Sequence, residues 1–91
     1  MNNTKLRVLY LCRNALERVD QAICNHEHNV PEDLSLPILN RIRNELLQML
    51  EKLSPSQFRP TYGRFILDWP DEHGLIKTLS DVEYEYERIK E

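Results

Sequence analysis

Apolar residues recur at helical spacing in three stretches of the chain, with polar residues between them. Leu9, Cys12, Leu16, Val19 and Ile23 step by threes and fours, which lines them along one face of a helix. The spacing predicts a first helix over about residues 4–24, with Asn3 or Thr4 to supply an N-cap oxygen. The period is lost at Asn25–Asn29, and Pro31 forbids continuation. Leu39, Ile42, Leu46, Met49 and Leu53 repeat the same steps, broadened by Ile38 and Leu50. They predict a second helix over about 37–53, with Pro37 in its first turn, Ser35 or Leu36 in the cap region and Ser54-Pro55 as the stop. Leu75, Leu79, Val82, Tyr86 and Ile89, with Ile76 beside them, predict a third helix over about 71–90. Gly74 is its weak point, because glycine inside a helix costs about 1 kcal/mol relative to alanine.

The stretch 54–70 carries no such period. A structureless loop of that length is unusual in a compact domain, so a short helix or an ordered crossing segment is expected there. Phe58, Phe65 and Trp69 are expected to plug one end of the bundle. The alternative is a strand over 64–69, whose backbone groups would need a partner strand from a second copy, giving an edge-paired homodimer. The expected fold is therefore all-α: a three-helix bundle with a short fourth element in 54–70, forming one domain over 1–91.

Composition narrows the class. The chain is 41% hydrophobic and 30% charged, which is the balance of a globular protein and not of a disordered one. Net charge is −3, so no basic field draws it to nucleic acid or to an anionic membrane. The charge is uneven: residues 1–66 hold nine Lys/Arg against seven Asp/Glu, whereas residues 67–91 hold three against eight. The apolar run Val8–Cys12 ends at Arg13, too short for a secretory core or a membrane span. Two cysteines make no disulfide framework, and reduced thiols fit a cytoplasmic protein.

Four constellations could carry chemistry. Cys12 and Arg18 are separated by five residues and follow Val8-Leu9-Tyr10-Leu11. This resembles the phosphate-binding loop of the low-molecular-weight tyrosine phosphatases and related arsenate reductases, which implies a thiolate nucleophile and an arginine on the phosphate oxygens. The intervening Arg13-Asn14-Ala15-Leu16-Glu17 lacks glycine and puts an anion in an anion cradle, so Cys12 is read as a core residue of a helix. Cys24, His26 and His28 are metal-ligating residue types. A spacing of two does not converge on a helix, and no second ligand pair of suitable spacing exists. They are read as groups at a helix end, where histidine favours the dipole; no bound metal and no cofactor is expected. Asp68, Asp71, Glu72 and His73 combine carboxylates with a histidine, but acidic residues also mark a helix start, and no nucleophile or oxyanion donor accompanies them. Arg13, Arg18, Arg41 and Arg43 on the first two helices could meet phosphates, yet Glu17, Asp20 and Glu45 lie among them.

The third helix is the most suggestive. If Val82, Tyr86 and Ile89 face the core, then Asp81, Tyr84, Glu85 and Arg88 fall on another face. An exposed tyrosine among carboxylates suits a protein interface. The expected function is a small non-catalytic protein-binding module, of the inhibitor, immunity or antitoxin kind or a regulatory adaptor, with a basic protein as partner. Its rivals are a nucleic-acid-binding regulator using the four arginines and a metal-dependent enzyme at Cys24, His26 and His28.

Overall fold

A computed structural model describes residues 3–90; of the expected domain, positions 1, 2 and 91 lie outside the described residues. The described chain forms four helices and no strand: α1 (Asn3–Glu27), α2 (Leu36–Lys52), α3 (Gly63–Ile66) and α4 (Leu75–Glu87). It is an all-α bundle of three long helices with a short fourth, as the periodicity predicts. α1 is the spine. At 1.5 Å per residue it is about 37 Å long, most of the 43 Å long axis of the molecule. Both α2 and α4 pack along α1, and α3 packs on α4. No helix among the described residues is long and apolar enough to cross a membrane.

The buried face of α1 is Val8, Cys12, Ala15, Val19 and Ala22. This differs from the expected stripe, since Leu9, Leu16 and Ile23 are only half-buried. The reason is geometric. A helix wedged between two neighbours buries a broad arc, and small residues at its centre let both neighbours approach. Larger residues such as Leu11, Leu16 and Ile23 then pack from the margins. α2 and α4 each bury one flank, and their stripes match expectation except at Leu53, which is half-buried beyond the end of α2: Leu39, Ile42, Leu46 and Met49 on α2, and Leu75, Leu79, Val82 and Tyr86 on α4, are all buried.

Helix limits follow from local chemistry. Asn3 and Thr4, expected as caps, already lie within α1. α2 has Pro37 in its first turn and ends at Lys52, capped by Leu53, whose left-handed backbone (φ 47°) lets its amide reach the Met49 carbonyl at 2.8 Å. α4 runs from Leu75 to Glu87 and not from 71 to 90; at its far end the Arg88 amide closes the last turn on the Glu85 carbonyl at 3.1 Å. Gly74 adopts φ +76°, a conformation that breaks a helix and suits glycine. The Asp71 carboxylate lies outside the helix and accepts from the Ile76 and Lys77 amides at 2.9 and 3.2 Å, satisfying donors that a helix N-terminus leaves open.

The connection between α2 and α4 is built around one carboxylate and two tyrosines. Glu45 is buried against it and accepts from Thr61 N at 2.7 Å, Thr61 Oγ1 at 2.6 Å and Tyr62 N at 2.8 Å. Tyr62 is buried and donates to the Leu79 carbonyl at 2.6 Å. Tyr86 donates to the carbonyls of Ser54 at 2.9 Å and Phe58 at 2.6 Å. Phe58 and Trp69 pack partly on the core, but Phe65 is 42% exposed, so the plug at this end is Tyr62 with Ile66. Residues 64–66 are helical and 67–68 form a turn, leaving no strand there through which two copies could pair.

Candidate functional site

The outward side of α4 carries Asp81, Tyr84 and Arg88, all exposed. Tyr84 is 60% exposed although the rest of its helix packs well. It is not a loose side chain. Arg88, one turn on, donates to its hydroxyl at 2.9 Å and lies 5.4 Å from the ring centroid, a cation–π geometry. Asp81 pairs with Lys77 at 3.2 Å. Glu85 departs from the expected face: it turns toward α1, is half-buried and pairs with Arg7 at 3.4 Å.

The carboxylates on the other flank of α4 are differently placed. Glu83 is half-buried against α3, so close that a Cβ on Gly63 would fall 2.6 Å from its Oε1. Burial pushes its carboxyl above the usual range, and the negative charges of Glu87 and Glu45 add to the shift. No described ion pair reaches Glu83 or the exposed Glu87. Glu83 and Glu87 therefore place part of the charge excess of the last quarter of the chain beside Tyr84 on the α3 side. Sequence spacing did not find this, because it cannot tell which carboxylates find partners across the fold.

Three of the four arginines are engaged. Arg18 bridges α1 to the start of α4, donating to Thr78 Oγ1, to the His73 carbonyl at 2.6 Å and to the Gly74 carbonyl at 3.5 Å. Arg43 pairs with Asp20 at 2.7 Å. Arg41 lies 4.2 Å from the centroid of Phe65 and 3.9 Å from Glu45. Among the described residues, Arg13 is the one of the four without such a partner.

The acid–histidine group around Trp69 is dispersed. Asp71 caps α4, and His73 is fastened to Asp33 by two hydrogen bonds of 3.1 Å, one from its backbone amide and one through Nδ1. The hydrogen bond to Asp33 and that carboxylate's charge raise the His73 pKa above its ordinary value of 6.5. Burial opposes this slightly, and Glu32 and Glu72 add to it. Beside this clasp a cleft of about 200 Å³ opens between Arg18, Ala22, Asn25 and Glu32. Its charges are mixed, and Arg18 is already bonded to α4.

The two cysteines differ. Cys12 is buried in the α1 core face, and burial pushes its thiol up to about 12. With Cys12 on a helix and Arg18 turned to α4, the phosphate-loop geometry is not formed. α1 runs three residues beyond its expected end, which carries Cys24 and His26 into its last turn with His28 just beyond. The His26 ring turns to the Leu34 carbonyl, Nε2 to O 2.8 Å. The Cys24 thiol instead meets His28, Sγ to Nδ1 3.6 Å. Among the described residues no group of three or more His, Cys, Asp or Glu is arranged to hold a metal ion.

Glu45 is the organising residue that periodicity missed. Its signal was present: it follows Ile42 by three and precedes Met49 by four, a charged residue within the buried stripe of α2. The chain matches no family model, no curated protein and no solved structure.

Proposed function

We propose that this chain is a non-catalytic protein-binding module, of the inhibitor, immunity or antitoxin kind or a regulatory adaptor, working in the cytoplasm on a basic protein. The observation that carries the reading is the tyrosine on α4: Tyr84 is 60% exposed yet held in place by Arg88. An aromatic ring that is already ordered gives a large contact area at low entropic cost, which is why tyrosine dominates interface hot spots. Glu83 and Glu87 next to it supply negative charge that no described cation neutralises. Asp81 and Glu85 contribute less to such a surface, since Lys77 and Arg7 already pair with them.

The engagement of Arg18, Arg41 and Arg43 within the fold weighs against nucleic acid as the partner, because affinity for a phosphate backbone depends on cations free to displace its counterions. The test is affinity capture from the source cell with the wild-type chain and with Tyr84→Ala. A basic protein retained by the first and lost by the second, at equal melting temperature, is the expected result. Equal retention by both would move the binding surface off α4.

A further inference from the structure

The extension of α1 to Glu27 changes which of its terminal ligand-type residues can meet. On a helix, residues two apart diverge and residues four apart share a face. His26 is spent on the Leu34 carbonyl, while Cys24 and His28 stand together. We propose that Cys24 Sγ and His28 Nδ1 form a chelating pair for a borderline-soft divalent cation of the zinc class, with water completing its coordination.

The span is the first argument. A tetrahedral zinc ion with bonds of about 2.3 Å to sulfur and about 2.0–2.1 Å to nitrogen sets those two atoms about 3.6 Å apart. Cys24 Sγ and His28 Nδ1 are 3.6 Å apart. The second argument is the rigidity of the backbone that carries them. Asn29 takes the left-handed conformation (φ 58°), its amide reaches the His26 carbonyl at 3.2 Å, and the Val30 amide reaches the Asn25 carbonyl at 2.8 Å. This double closure fixes the last turn, so little chain ordering opposes binding. The third is access: Cys24 is half-buried and His28 exposed. The other thiol does not compete, since Cys12 lies in the core with its proton tightly held.

Proton movements follow from the donor atoms. The Cys24 thiol releases its proton to solvent and binds as thiolate. His28 presents the Nδ1 lone pair, carries its proton on Nε2, and gives up the 2.9 Å contact between Nδ1 and the Cys24 carbonyl. With two protein ligands the site is open and exchangeable, unlike the closed four-ligand centres that hold structural zinc. It lies at the end of α1 and is independent of the α4 surface.

Cobalt(II) is the probe, titrated into the reduced full chain and followed by thiolate-to-cobalt charge-transfer absorption. The expected result is one cobalt per chain, displaced by zinc. The absorption should vanish in Cys24→Ser and need at least about tenfold more cobalt in His28→Ala. His26→Ala should bind as the wild type does. These side chains lie outside the core, and a melting curve for each variant verifies its fold. Absence of the band at millimolar cobalt would overturn the proposal. So would equal affinity in His28→Ala, loss of binding in His26→Ala, or one cobalt per two chains.

Discussion

Glu45 shows how much one side chain decides at the residue scale. It sits on α2 within the apolar stripe, 8% exposed, where an ionised carboxylate survives only with donors around it. Thr61 supplies two and Tyr62 one. Glu45→Ala removes all three bonds and leaves two backbone amides without an acceptor, which should cost about 2–4 kcal/mol in urea unfolding. Glu45→Gln keeps the shape and should cost less. If Glu45→Ala unfolds at the wild-type midpoint, the carboxylate does not anchor the connection. His73 gives a second test. Its folded pKa is raised by Asp33, so the stabilisation is complete below the unfolded value near 6.5 and is lost as pH rises through the folded value. Stability should decline as pH rises above the ordinary histidine value of about 6.5, and Asp33→Asn should flatten that decline. Glu83 trends the same way but from near its ordinary value of 4.5 upward; Glu83→Gln separates the two contributions. A decline unchanged by Asp33→Asn would assign the pH dependence to other groups.

At the scale of elements, the long helices were legible because each shows one clean apolar stripe, and those of α2 and α4 map directly onto buried faces. α1 was legible as a helix but not in its rotation. Its centre is lined by cysteine and alanine, which a search for large apolar residues undervalues, and it faces two neighbours. The start of α4 was misplaced because Asp71-Glu72-His73-Gly74 has the composition of a first turn yet forms the cap before it. The connection was the least legible part, since long-range hydrogen bonds and not periodicity hold it. That gives a ranking to measure. Tyr86→Phe deprives two loop carbonyls, those of Ser54 and Phe58, of their donor. Tyr62→Phe affects only the Leu79 carbonyl. Both keep ring packing, so each cost is chiefly that of the lost bonds, about 1–3 kcal/mol for Tyr86 and about 1 kcal/mol for Tyr62. Amide exchange across residues 54–62 should quicken more in Tyr86→Phe. The reverse order would mean that Tyr62 is the stronger tie. Of the proposed surface, the sequence revealed Tyr84 and its acidic setting. The pairing of Asp81 and Glu85, and the freedom of Glu83 and Glu87, depend on α1 and α3 and needed the fold.

At the scale of the whole molecule, the chain is a rod with extents of 43 × 22 × 20 Å, and its sequence carries −5 over residues 67–91 against +2 over the rest. An asymmetric charge of this kind acts before contact. On the proposed reading, a basic partner would be drawn toward the carboxylates of residues 67–91 over roughly a Debye length, about 8 Å at physiological salt, and would then dock on Tyr84. Two stages predict two kinetic signatures. Tyr84→Ala should leave association within about threefold of wild type and raise the dissociation rate, because the lost group acts after encounter. Glu83→Gln combined with Glu87→Lys should slow association by about tenfold at low salt, and the difference from wild type should shrink as salt is added. Glu83 and Glu87 are the right positions for the charge test, since reversing Glu85 would set a lysine against Arg7 and disturb α1–α4 packing. Stopped-flow kinetics with the captured partner would measure both variants, with circular dichroism as a check on the fold. If charge reversal leaves the association rate and its salt dependence unchanged while Tyr84→Ala still weakens binding, the partner is read by shape alone and its basic character is wrong. If neither variant changes either rate, the face of α4 is not where the partner docks, and Arg13 with the exposed side of α1 becomes the next surface to vary.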